Sequence, residues 1–149
     1  MKIAIINLNS YKEFEEILPF IQKLEDEIID ANIDIFIDKQ YENDFLHLSD
    51  KYEISTLDMQ DMNILDLKFK IDKIRYHALS KYDIAVDTQG SFKTALTTYL
   101  LCGRTAGFKK SGFMGYIISL FFDEKISYEN ISYSENIKEL LSKPFGLNS

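Results

Sequence analysis

Short runs of β-branched residues alternate with longer segments whose apolar residues recur every three or four positions. This alternation limits the fold more than any other feature of the chain. KIAIIN (2–7), IDIFID (33–38) and YDIAVD (82–87) read as buried strands, and YEISTL (52–57) as a weaker one. Between them, Phe14, Ile17, Leu18, Ile21, Leu24 and Ile28 keep helical spacing over 11–29, with Pro19 placed to kink that helix or loosen its first turns. Ile64, Leu67, Ile71, Ile74 and Ala78 mark a second helix over 63–80. SFKTALTTYLLCG (91–103) predicts a third, closed by Gly103 as a C-cap. RTAGF (104–108) reads as a short strand and GYIISLFF (115–122) as a buried helix or strand. SENIKELLSK (134–143) reads as a last helix stopped by Pro144. Such alternation predicts an α/β fold, a Rossmann-like parallel sheet with helices on both faces. No linker divides residues 1–149, so a single domain is expected.

Several classes are disfavoured by composition. No run approaches the ~18 apolar residues that span a bilayer. The N-terminus turns acidic after a few apolar residues, unlike a signal peptide. The lone Cys102 has no disulfide partner, which points to the cytoplasm or a cytoplasmic membrane face. A net charge of −7 argues against a nucleic-acid partner.

In parallel α/β sheets, ligands bind beyond the carboxyl ends of the strands. Two loops therefore carry the functional expectation: NLNSYK after the first strand and TQGSFK after YDIAVD. Ser10-Tyr11-Lys12-Glu13 matches a capping box, in which Glu13 reaches back to the Ser10 amide. The other reading makes Glu13 a carboxylate at a strand tip, able to take a proton from an attacking hydroxyl. In the second loop, Gly90 permits a tight turn and Ser91 caps the following helix. Gln89 offers a donor and an acceptor to a sugar. Lys93 opposes the helix dipole unless an anion lies nearby. Asp87 is placed to tie down the loop.

Arg104, Lys109 and Lys110 form a basic cluster in sequence, suited to phosphate or carboxylate or else simply solvated. GFMGYIISLFF (112–122) is the most apolar stretch, expected chiefly to pack in the core, with membrane-surface contact as the minor reading. His47 and His77 lack partners at metal-ligand spacing, and no dinucleotide or Walker pattern occurs.

Three stretches resemble a known family. MKIAIINLNSYKEFEEILPFI is similar to the opening strand, loop and Leu-Pro helix of bacterial lipopolysaccharide heptosyltransferases, the type I enzymes of glycosyltransferase family 9. YDIAVDTQGSFKTAL resembles that family's Asp-x-Gln-Gly strand end and following helix, and GRTAGFKKSGFMGYIISLFFDEKISY its Gly-Phe segment. The resemblance implies the N-terminal, acceptor-binding domain of a GT-B glycosyltransferase. That domain binds Kdo-lipid A at the cytoplasmic face of the inner membrane, and a C-terminal domain binds the donor ADP-heptose. Heptose is transferred with inversion, with no metal or further cofactor. Carried over by position, the base falls on Glu13. The acceptor contacts fall on Asn9, Ser10, Lys12, Gln89, Gly90, Lys93, Arg104, Lys109 and Lys110.

The sequence also departs from the family pattern. Lys12-Glu13 stands where the family has Gly-Asp, and Met114-Gly115-Tyr116 where it has Arg-Glu-Pro. Asp58, Asp61 and Asp66 precede the third helix where basic residues are usual. The donor domain is expected to be absent, making the chain a truncated product or one half of a split enzyme. Its partner would be a separate donor-domain chain or a second copy. The alternative is a non-catalytic module that binds anionic glycolipid or a protein surface.

Overall fold

The computed structural model describes residues 1–60, 63–77 and 82–147, and for 74–77 the backbone alone. Asp61, Ala78 and the side chains of Ile74 and His77 lie outside that set. The strands are β1 (Lys2–Ile6), β2 (Asn32–Asp38), β3 (Glu53–Leu57), β4 (Ile84–Asp87), β5 (Thr105–Lys109) and β6 (Glu124–Ser127). They form one parallel sheet in the order β3-β2-β1-β4-β5-β6. The helices are α1 (Tyr11–Phe14), α2 (Leu18–Glu27), α3 (Ile64–His77), α4 (Phe92–Leu101), α5 (Gly112–Ser119) and α6 (Tyr133–Leu140). Two 3-10 segments, Lys39–Leu48 and Lys143–Phe145, complete the described elements.

Side-chain alternation along the strands builds two cores, because successive residues point to opposite faces. Ile3, Ile5, Ile35, Ile37 and Val86 face Ile21 and Leu24 of α2, Phe45, and Ile137 and Leu140 of α6. Ala4, Ile6, Phe36 and Ala85 face Leu67 and Ile71 of α3 and Leu101 of α4. The expected Rossmann-like α/β fold with helices on both faces is what the chain adopts.

The chain runs outward from β1 through β2 to β3, then crosses back to β4 on the other side of β1. The reversal puts the switch point between β1 and β4, paired from Ile3↔Ile84 to Ile6↔Asp87. The crevice beyond their carboxyl ends is where such sheets take ligands.

Several local expectations are corrected. The single helix over 11–29 is two: α1 ends after one turn, and Pro19 sits in the first turn of α2, where its missing N–H costs nothing. Gly103 does not close α4. The helix exits through Cys102 in extended conformation (φ −149°), which needs no glycine. α6 stops at Leu140, and Pro144 opens a new 3-10 turn instead of ending the helix. Ile64, expected on the buried face of α3, is 62% exposed. β6 and the 39–48 segment carry too weak a period to be read from sequence.

The segment 112–122 is the largest correction. α5 buries Gly115 and Ser119, while Phe113, Met114, Tyr116 and Leu120 face solvent. A methyl at Gly115 would overlap the Lys110 carbonyl. The helix therefore lies against the strand end through its small residues, and the large ones are turned out.

Candidate functional site

The two loops meet at the switch point. Gln89 bridges them: its Oε1 accepts from the Leu8 amide at 2.9 Å, and its Nε2 donates to Asn9 Oδ1 at 2.6 Å. Beneath, the buried Asn7 Nδ2 donates to Thr88 Oγ1 at 2.9 Å, and that hydroxyl donates to the Ile6 carbonyl at 2.7 Å. Asn7 Oδ1 accepts from the Asn9 amide at 3.1 Å. Tyr133, at the start of α6, donates to the Thr88 carbonyl at 2.8 Å. Burial is the main cause holding its phenol well above the ordinary range, so it remains a donor. Asn7, Thr88 and Tyr133 were not singled out in the sequence. Asn7 is visible there as a strand end, but its partner lies 81 residues away.

The β4–α4 turn is built around Asp87, which is fully buried. One oxygen accepts from the Gln89 and Gly90 amides at 2.9 and 3.0 Å, the other from the Thr94 hydroxyl at 2.9 Å. Burial pushes its pKa up to about 6, against the pull of these donors and of the Lys110 charge. Gly90 has φ +81°, and the Lys110 side chain lies directly over it. Ser91 and Thr94 form a reciprocal capping box at the start of α4.

The first loop differs. Ser10 takes the N-cap position of α1, but its side chain makes no capping bond. The capping-box reading of Ser10-x-x-Glu13 is therefore not realised. α1 is a single turn whose approach is fixed by Asn7 at the end of β1 and by Gln89 from the second loop. Lys12 and Glu13 are both exposed, and Ser10 and Asn9 are half-buried. The neighbouring Tyr11 hydroxyl shares a 2.7 Å hydrogen bond with His47 Nε2 and packs edge-on against Phe45, so His47 does not stand alone.

The basic residues divide. The Lys93 ammonium donates to the Met59 carbonyl at 3.0 Å, and Lys110 donates to the Gln89 carbonyl at 3.0 Å with its charge 5.0 Å from the Tyr128 ring centre. These two lysines flank the β4–α4 loop, and Lys109 is exposed at the end of β5. Arg104 does not join them. It precedes β5 at the opposite rim, roughly 17 Å away at ~3.3 Å per strand residue, where it pairs with Glu124 (2.7 Å) and the Pro144 carbonyl (2.6 Å). A strand separates in space what the sequence sets five positions apart.

The arrangement is a rim with two cross-braced loops, an unencumbered carboxylate on Glu13, and lysines on the β4–β5 side. Among the described residues no three His, Cys, Asp or Glu side chains converge as metal ligands, and no helix is long and apolar enough to cross a membrane.

No family model matches the chain. It is 29% identical over 143 residues to lipopolysaccharide heptosyltransferase 1 of Campylobacter coli, which covers 92% of this chain and 38% of that protein. The E. coli heptosyltransferase WaaC with ADP superposes over 99% of this chain and 48% of its own, with a TM-score of 0.78 at 19% identity. A glycosyltransferase of family 9 from Veillonella parvula superposes over 99% of this chain and 42% of its own (TM-score 0.78, 14% identity). E. coli ADP-heptose heptosyltransferase II covers 95% and 40% (TM-score 0.74, 15% identity). The chain thus spans less than half the length of the proteins it matches. Its sequence is similar to a lipopolysaccharide heptosyltransferase over most of its residues, and its fold is that of about half of such an enzyme.

Proposed function

We propose that this chain is the acceptor-binding half of a heptosyltransferase-like enzyme of lipopolysaccharide inner-core biosynthesis. The sequence likeness over 143 residues carries this reading. The braced switch-point loops support it with a rim suited to a sugar. In this reading Lys93, Lys109 and Lys110 draw in the anionic groups of a Kdo-lipid A acceptor, while Lys12, Asn9, Ser10 and the Gln89-Gly90 turn shape the sugar's seat. Arg104 has no part in it, being held at the opposite rim.

Glu13 is the base. As the acceptor oxygen bonds to the anomeric carbon of the donor heptose, Glu13 takes its proton. The bond from that carbon to the ADP oxygen breaks, ADP leaves with the electron pair, and attack from the opposite side inverts the configuration. The support is that the Glu13 carboxylate is exposed and makes no capping bond. The six-stranded sheet then serves as the acceptor domain, and ADP-heptose is held by a second domain on this or a separate chain. A lipid-linked acceptor sets the reaction at the cytoplasmic face of the inner membrane.

The test is calorimetric titration with detergent-dispersed Kdo-lipid A. Binding that weakens with salt and falls in Lys93→Gln and Lys110→Gln is expected, and no binding at low salt overturns the reading. A second reading, a glycolipid-binding module without catalysis, draws on Lys12-Glu13, since glutamate carries its oxygens about one methylene further than aspartate. A displacement of ~1 Å can cost ~10²-fold in rate. ADP release in the presence of a donor domain separates the two.

A further inference from the structure

The Gln89–Gly90 peptide lies between two charges. Its N–H donates to Asp87 Oδ1 at 3.0 Å, and its C=O accepts from the Lys110 ammonium at 3.0 Å. Gly90 sets this orientation with φ +81°, a conformation that residues with a Cβ rarely adopt, and the Lys110 stem fills the space a side chain would take. Asp87 is fully buried and Lys110 half-buried. Hydrogen bonds in series polarise one another, so a change of charge on one side of the peptide is felt on the other. Lys110 is also the charge that pulls Asp87 toward its ionised form, against burial.

Asp87 is equally built to accept a proton. Thr94 Oγ1 lies 2.9 Å from Asp87 Oδ2 and 3.0 Å from the Ser91 carbonyl, so one hydroxyl hydrogen faces two acceptors. With Asp87 ionised, that hydrogen serves the carboxylate. With a proton on Oδ2, the carboxyl donates to Thr94 Oγ1, and the hydroxyl hydrogen turns to the Ser91 carbonyl. Oδ1 keeps the Gln89 and Gly90 amides in both states. None of these buried groups is left without a partner in either state. Burial already favours the neutral form, with the pKa raised to about 6. From α6, Tyr133 faces Asp87 and stays a donor to the Thr88 carbonyl. Tyr128, after β6, lies behind Lys110, and Lys93 of α4 is engaged by the Met59 carbonyl.

We propose that Asp87 and Lys110 act as one proton-linked unit that sets how tightly the β4–α4 rim holds an anion. With Asp87 ionised, Lys110 is kept on the Gln89–Gly90 peptide. With Asp87 neutral, the ammonium loses its counter-charge and serves an oxyanion at the rim. An anion held by Lys110 in turn disfavours the Asp87 carboxylate, so binding takes up a proton from solvent. Asp87 is a positioning residue in this scheme and touches no ligand. The inference deepens the proposed function and rests on it for the anionic acceptor, while its test uses a different anion.

The test is NMR titration of the chain with sodium sulfate, whose charge is constant between about pH 5 and about pH 7.5, at fixed ionic strength. The Lys110 ammonium and Asp87 carboxyl signals are followed. Sulfate should bind at Lys110 about tenfold more tightly at the lower pH. Saturating sulfate should raise the midpoint of the Asp87 transition by about one pH unit, the same coupling read from the other side. Asp87→Asn keeps an acceptor for the two amides and a donor for Thr94, and should bind sulfate at the higher pH as the wild type does at the lower. Lys110→Gln should abolish sulfate binding and move the Asp87 midpoint up. His47→Gln should leave the pH dependence intact. Sulfate affinity that does not change with pH, an Asp87 midpoint indifferent to sulfate or to Lys110→Gln, or no sulfate-dependent shift at Lys110 at the lower pH overturns the proposal. The wild-type midpoint decides the matter even where a variant does not fold. Kdo-lipid A binding without sulfate coupling leaves the proposed function standing, and sulfate coupling without Kdo-lipid A binding does the reverse, so the two readings fail separately.

Discussion

α1 and α4 both start at the rim with a serine at the N-cap, and of these two only α4 is capped by it. At α4, Ser91 and Thr94 bond reciprocally above a buried aspartate that accepts three hydrogen bonds. At α1, Ser10 makes no such bond and Glu13 is left exposed. The contrast teaches that a cap forms where the preceding turn is closed by several local bonds, as around Asp87, and not where a single one, Asn7 to the Asn9 amide, precedes the helix. β4 delivers a turn closed by Asp87 and Gly90, whereas the β1–α1 loop is held from a distance by Gln89. The rigid turn is the scaffold, and the uncapped one keeps a carboxylate available.

This contrast can be broken or sharpened by substitution. Glu13→Gln should lower transfer by about 10²–10⁴-fold in an ADP-release assay supplied with a donor domain, with thermal unfolding unchanged. An unchanged rate would remove Glu13 from the chemistry. The next largest effect is on pH dependence. The Asp87 carboxyl is raised from 3.8 to about 6 in the folded chain. Its contribution to stability is therefore complete below the unfolded value and is lost as pH rises through about 6. About two pKa units correspond to roughly 3 kcal/mol. Urea unfolding of the wild type relative to Asp87→Asn should show a loss of that order between about pH 4 and 7. Identical slopes in the two proteins would place the titration elsewhere.

Gln89→Ala leaves the Leu8 amide without its acceptor and Asn9 without its donor, and should cost about 1–3 kcal/mol in chemical unfolding while weakening glycolipid binding. Ser91→Ala should cost ~1 kcal/mol, and Ser10→Ala no more than ~0.5 kcal/mol. Equal losses for the two serines would erase the distinction between the loops.

Much of the architecture was legible because strand and helix differ in period. KIAIIN, IDIFID and YDIAVD lie in β1, β2 and β4, and their alternation is enough to give a parallel sheet. The site was legible in part. Asn9, Gln89, Gly90, Lys93 and Lys110 sit on or beside the two loops, whereas Arg104 sits at the far rim. Ser10-x-x-Glu13 satisfies the capping pattern and forms no box, since a four-residue motif records what two groups are able to do and not what holds the loop around them.

By itself the sequence determined the strand–helix alternation and the position of the two carboxyl-end loops, because both follow from local periodicity. Only the tertiary structure decided that Gln89 ties one loop to the other, that Asp87 is buried, that Glu13 is uncapped, and that α5 turns Phe113 and Met114 outward. The bridge through Gln89 joins residues 80 positions apart, and the turn of α5 follows from the closeness of one backbone to another, Gly115 against Lys110, which outweighs the hydrophobicity of the segment.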